Sequence, residues 1–100
     1  MAFQISSVKT RYFDFEDPTT DGILHIEPPK LKTMNEFEKL NNQNSPEDLA
    51  AVVAKMLSKN KEGRDVTADD VMNWMDSDQI SVFINAFLCW VNGVKANDPN

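Results

Sequence analysis

The sequence predicts a mainly α fold, a small bundle of about four helices preceded by a short β-prone N-terminal hairpin or arm. Three observations predict it. From Leu31 onward, apolar residues recur at helical spacing in four stretches separated by polar breaks. Before Leu31 they fall into short β-prone runs on either side of Asp17-Pro18-Thr19-Thr20-Asp21-Gly22, a strong turn composition. The last stretch, Gln79 to Val94 (QISVFINAFLCWVNGV), has no charged residue in a chain that is 26% charged. One hundred residues is the size of one ordinary domain. Within it, residues 1–30 form the β-prone segment, 31–94 the helical part and 95–100 a frayed tail.

The elements follow in order. Phe3, Ile5, Val8, Tyr12, Phe13 and Phe15 supply the first β-prone runs, and Gly22 to Glu27 the second, giving a hairpin or two extended arms around a loop of roughly six residues. Pro28-Pro29 stops the second run, because proline donates no ladder hydrogen bond. An isolated hairpin is marginal, so this one has to pack on the helices. Lys32 to Asn42 reads as a short amphipathic helix with Leu31, Met34, Phe37 and Leu40 inward, and Asn41-Asn42-Gln43-Asn44 breaks it.

Ser45-Pro46-Glu47-Asp48 then supplies an N-cap, a proline at the first helical position and acids in the first turn. That helix is expected to reach about Asn60, burying Leu49, Val52, Val53, Met56 and Leu57. Lys55, Lys59 and Lys61 would lie at its carbonyl end, with Gly63 as terminator. Thr67, with Asp70 at the capping-box position, starts a short third helix whose apolar face is Val71, Met72, Trp74 and Met75. Asp76-Ser77-Asp78 breaks it and caps the last helix through Asp76 or Ser77, and Gly93 is the natural terminator.

The last helix carries Ile80, Phe83, Ile84, Phe87, Leu88 and Val91 on one face. Val82, Ala86 and Cys89 form a second apolar edge, and Trp90 lies between the two. The economical division makes the Ile80, Ile84, Leu88 and Val91 side the pillar of the core and the Phe83, Phe87 and Trp90 side the one to watch for a partner, with domain core the alternative for each of them. The stretch is too short and too punctuated by polar residues to span a bilayer, which takes about 20 mostly apolar residues.

Charge and chemistry exclude several classes. Sixteen acids against ten Lys and Arg give a net charge of −6, and the pI is near 4.6. That balance opposes a nucleic-acid or anionic-membrane partner. The single cysteine, Cys89, cannot form an internal disulfide, so it reads as a buried reduced thiol of a cytosolic protein, and Met1 to Thr10 has no secretory pattern. His25 and Cys89 lie on different elements with nothing to pair them. Asp76-Ser77-Asp78 begins like a calcium loop, but the sixth and twelfth places hold Ser81 and Phe87 where glycine and glutamate are needed.

Asp65, Asp69, Asp70, Asp76 and Asp78 suit the starts of helices, and the three glycines make no phosphate loop. The expectation is a non-enzyme with no catalytic, cofactor-binding or metal site. Lys55, Lys59, Lys61 and Arg64 gather opposite these acids, as helix ends or as a polarised surface for a protein partner or a neighbouring copy.

Three segments carry a family resemblance: Ile26-Glu27-Pro28-Pro29-Lys30-Leu31-Lys32, Val66-Thr67-Ala68-Asp69-Asp70-Val71-Met72-Asn73-Trp74, and the ending from Phe83-Ile84-Asn85-Ala86-Phe87 through Trp90-Val91-Asn92-Gly93 to Asn97-Asp98-Pro99-Asn100. In that layout, about residues 26–100 resemble the small tail assembly chaperones of long-tailed phages and prophages of Gram-positive bacteria. The resemblance implies a helper in the host cytoplasm that binds the tape-measure protein, and sometimes tail-tube subunits, before the tail polymerises. For that role Phe83, Phe87 and Trp90, with Trp74, Met72 and Met75, are the natural partner-binding anchors. Each large side chain covered by a partner supplies ~1.5–3 kcal/mol of gross burial energy. The alternatives are a small structural tail or connector subunit of the virion and an acidic inhibitor or regulator of a host protein.

Overall fold

The two β-prone runs pair. In the computed structural model, which describes residues 2–5, 10–40 and 45–96, β1 (Phe13–Glu16) and β2 (Ile23–Ile26) form an antiparallel hairpin. Its register pairs Phe13 with Ile26, Asp14 with His25, Phe15 with Leu24 and Glu16 with Ile23. Cross-strand partners share a face, so Phe13, Phe15, Leu24 and Ile26 form the apolar side. The loop is residues 17–22. The Asp17 amide donates to the Gly22 carbonyl at 2.8 Å, and Oδ1 of Asp17 accepts from the Thr19 amide at 2.8 Å. Asp21 takes the left-handed conformation that the turn requires (φ 59°), one that Asp and Asn tolerate better than most residues.

Four helices follow, α1 (Leu31–Glu38), α2 (Pro46–Leu57), α3 (Ala68–Trp74) and α4 (Ser77–Ala96). The fold class is therefore mainly α with an N-terminal hairpin, as the spacing predicts. Helix α1 begins at Leu31 and stops four residues short of the expected Asn42, and the polar break at 41–44 lies outside the described residues. Leu31 itself is exposed, so Phe37 is the side chain α1 buries. Ser45 caps α2 as expected, accepting the Asp48 amide at 3.1 Å. Thr67 and Asp70 complete a reciprocal capping box on α3.

Helix α2 ends at Leu57 rather than near Asn60. The cause is competition for the backbone. The Glu27 amide donates to the Lys59 carbonyl at 2.8 Å, and the Lys61 amide donates to the His25 carbonyl at 2.9 Å. Residues 59–61 thus run along the outer edge of β2 and cannot remain helical. The Asn60 side chain consolidates the departure, donating to the carbonyls of Leu57 and Arg64 and accepting from the Arg64 amide, all within 2.7–2.8 Å. Gly63, at φ 72°, serves this connection instead of a helix C-terminus.

Helix α4 starts from Asp76. Oδ1 of Asp76 accepts the Gln79 amide at 2.7 Å while Oε1 of Gln79 accepts the Asp76 amide at 2.9 Å, a second reciprocal cap. Of the two expected caps, Asp76 and not Ser77 fills the role. An Asp76→Ala variant is expected to lose about 1 kcal/mol of stability, read as a shift in the urea midpoint at unchanged slope. The helix continues through Gly93 to Ala96, so Gly93 does not terminate it.

The core centres on Phe87, which is 0% exposed. Its ring lies 5.3 Å from Phe13, 5.8 Å from Phe37, 5.7 Å from Phe83 and 5.3 Å from Trp90, centroid to centroid. Phe15 closes the other end against Phe83 and Trp74. Val53, Met56, Leu57 and Val71 fill the space beneath, all buried. The hairpin's phenylalanines therefore sit on the aromatic side of α4, and this side is the pillar. Ile80, Ile84, Leu88 and Val91 remain only partly buried at its margin. The division expected from periodicity is reversed, because aromatic rings from the first strand stack best on the aromatic edge. Cys89 is likewise exposed rather than buried.

One buried ion pair ties the hairpin loop to the α2–α3 connection. The Asp17 carboxylate, in a residue 1% exposed, accepts from Nε of Arg64, whose guanidinium also lies over the Trp74 ring at 5.7 Å. Burial pushes the Asp17 carboxyl up, but the Arg64 guanidinium and the Thr19 amide outweigh it and hold the group below the usual carboxylate range.

Candidate functional site

Displacing the aromatic side of α4 into the core leaves its aliphatic side facing a groove. Helix α4 contributes Ser77, Ile80, Ser81 and Ile84 to one wall. Helix α2 contributes Pro46, Leu49 and Ala50 to the other. Val71, Met72 and Met75 form the floor and one end, with Asp76 beside them, and Leu40 closes the far side after α1. The groove encloses about 520 Å³.

Each wall follows from local sequence. Pro46 stands at the first position of α2, where its missing N–H costs nothing, so an apolar ring sits at the mouth. The extended conformation of Met75 (φ −121°, ψ 133°) ends α3 before the chain enters α4, and Met72, Met75 and Ile80 line the same groove. Met72 is 46% exposed, a large apolar side chain left half in water. Methionine is unbranched and polarisable, which suits it to partners of varied shape.

The electrostatics are one-sided. Among the described residues, Asp76 is the only ionisable side chain lining the groove, and no Lys or Arg lines it. Glu47 and Asp48 occupy the first turn of α2, and Asp78 the first turn of α4. These carboxylates answer the positive ends of two helix dipoles, while Asp76 puts negative charge at the groove itself. The arrangement favours an apolar surface flanked by positive charge.

The six anchors expected from sequence separate into three groups. Met72 and Met75 line the groove. Phe83, 8% exposed, and Phe87 are core residues, and their rings cannot serve as contact surface for a partner while the fold is intact. Trp74 and Trp90 are half-buried, each covered on one face by an arginine. Arg64 lies over Trp74, and Arg11 lies 4.7 Å above Trp90 while donating to the carbonyls of Trp90 and Val91 at 3.1 and 3.4 Å. Leu40, Leu49, Ile80 and Ile84 are the groove residues that sequence reasoning assigned to the core. The available signal was the aliphatic stripe at i, i+4 on α4, which periodicity alone could not tell from a core stripe.

The ionisable residues with sequence interest have structural partners. Nδ1 of His25 lies 2.5 Å from Oε2 of Glu62, whose other oxygen accepts the His25 amide at 2.8 Å. Those bonds, the amide first, hold the Glu62 carboxyl below its ordinary range. Asp76 is occupied in capping α4. Among the described residues no group of three or more His, Cys, Asp or Glu side chains could hold a metal ion, and no described helix is long and apolar enough to cross a membrane.

Compared with known proteins, the chain matches no family model, no curated protein and no solved structure. The groove therefore has to be read on its own chemistry.

Proposed function

We propose that this chain is a non-enzymatic assembly chaperone of a phage tail, which holds an apolar segment of the tape-measure protein in the groove between α2, α3 and α4 before the tail polymerises. The groove carries this reading: an open, methionine-bearing apolar groove of about 520 Å³ with Asp76 at its edge and no basic residue among its described lining. Its occupant would be the apolar face of an amphipathic helix whose polar flanks bear Lys or Arg. Such a helix buries its i, i+3 and i+4 side chains in a groove, and a basic residue on its flank meets Asp76. Three anchors at ~1.5–3 kcal/mol of gross burial each leave useful but releasable binding after association costs. Release is what a helper removed before polymerisation needs. The phage assignment comes from the resemblance of residues 26–100 to tail assembly chaperones, and such a protein would work in the host cytoplasm, also covering exposed segments of other tail proteins.

Co-expression with the tape-measure protein tests it. The soluble yield of that protein is expected to rise several-fold with the native chain and to return to baseline with Met72→Lys plus Ile80→Lys, which puts positive charge in the groove. Val82 is 67% exposed and outside the groove, so Val82→Lys should act like the native chain. Unchanged yield with the native chain would defeat the proposal. Stoichiometric amounts of the chain in purified virions would replace it with a structural tail or connector subunit.

A further inference from the structure

The hairpin has two edges, and among the described residues only that of β2 is occupied. The Asp17–Gly22 backbone bond sets the phase of the ladder. Counting back by two along the register, Phe15–Leu24 and Phe13–Ile26 are the pairs that exchange N–H and C=O, while Asp14–His25 and Glu16–Ile23 point theirs outward. On β2 the outward groups are satisfied. The His25 amide donates to Glu62, the His25 carbonyl accepts from Lys61, and the Glu27 amide donates to the Lys59 carbonyl. On β1 the outward amides and carbonyls of Asp14 and Glu16 have no partner among the described residues. The side chains of both are exposed, on the face away from the core.

We infer that the free edge of β1 is a second protein-binding site, which adds an extended basic strand of a partner beside Asp14 and Glu16. An antiparallel strand hydrogen-bonded to this edge places its own residues directly opposite Asp14 and Glu16, with their side chains on the same face. Two residues at i and i+2 that are Lys or Arg meet both carboxylates, and the residue between them turns its side chain toward the apolar face, beside Phe13 and Phe15. The occupant is not a second copy of this chain. A two-fold pairing of β1 with itself puts Asp14 opposite Glu16, Asp14 opposite Asp14 or Glu16 opposite Glu16, and like charges in register oppose pairing. The same acids that block self-association select a basic strand. This site lies apart from the groove and does not depend on what the groove holds.

Two synthetic peptides test it, acetyl-Val-Lys-Val-Lys-Val-amide and its Glu counterpart, titrated into the full chain and followed by amide chemical shifts and hydrogen exchange. The lysine peptide is expected to bind at least tenfold more tightly and to slow exchange at the Asp14 and Glu16 amides at least fivefold. Asp14→Lys with Glu16→Lys should reverse the preference. Glu16→Pro removes one outward amide without touching the β1–β2 bonds and should abolish binding. So should N-methylation of both lysine amides in the peptide, which leaves the protein unaltered. Met72→Lys should leave it unchanged. Equal binding of the two peptides, shifts confined to the groove, or full binding of the N-methylated peptide would each overturn the proposal.

Discussion

Replacing Phe87 by alanine is expected to remove about 3–5 kcal/mol of stability, the range for a buried aromatic truncated in a packed core. Domains of ordinary size are stable by only about 5–15 kcal/mol, so this one change would bring the chain near unfolding at 25 °C. The magnitude follows from position. The ring is fully buried and touches aromatic groups from β1, α1 and two further turns of α4. Its neighbours are held by three different elements, so the space cannot close without shifting them against one another. Urea unfolding followed by tryptophan fluorescence reads the loss directly, with Trp90 in contact with the site. Val82→Ala, on the exposed face of the same helix, should stay within about 0.5 kcal/mol. A loss below about 1 kcal/mol at Phe87 would mean that the aromatic side of α4 is not the pillar. The faces of the helix would then have to be exchanged back, with Phe83, Phe87 and Trp90 again open to a partner.

That exchange marks where sequence reasoning stops. The helix count, the hairpin loop at 17–22, the caps at Ser45 and Thr67 and the acidic break before α4 were all legible, because each depends on residues within four or five positions of one another. The end of α2 was not. Lys59 and Lys61 are good helix formers, and they leave the helix because the hairpin, more than thirty residues earlier, takes their backbone. The orientation of α4 was unreadable for the same reason. Its apolar residues cover more than one side, and the choice between sides rests with Phe13 and Phe15, about seventy residues away. Once those rings occupy the aromatic edge, the isoleucines are left at the margin, and the groove follows. Of the expected anchors, Met72 on α3 and Met75 just after it reach the groove. The free edge of β1 was legible only in part. Asp14 and Glu16 are visibly alternating acids, but a strand's unpaired side is a property of topology.

Arg64→Ala is expected to lower stability by about 3 kcal/mol at pH 7, the lower end for breaking a buried ion pair, since about a third of the Arg64 side chain is in water. Asp17 would keep its Thr19 amide but lose the guanidinium, leaving a carboxylate without its counter-charge in a site closed to solvent. The pH dependence separates this cause from lost packing on Trp74. In the native chain the folded Asp17 group titrates below its ordinary value near 3.8. Its stabilisation is therefore complete above about pH 4–5 and disappears as the pH falls through the lower, folded value. Without Arg64 the strongest lowering influence on Asp17 is gone, so the variant gains less from the ionised carboxylate and has less to lose as it protonates in acid. The two stability curves should converge as the pH is lowered from 7 to 3. Glu62, whose carboxyl is also held low through His25, contributes equally to both proteins and cancels in the difference. A deficit that stayed constant across that range would assign the effect to the lost stacking of Arg64 on Trp74 and deny the ion pair its role in tying the hairpin loop to the helices.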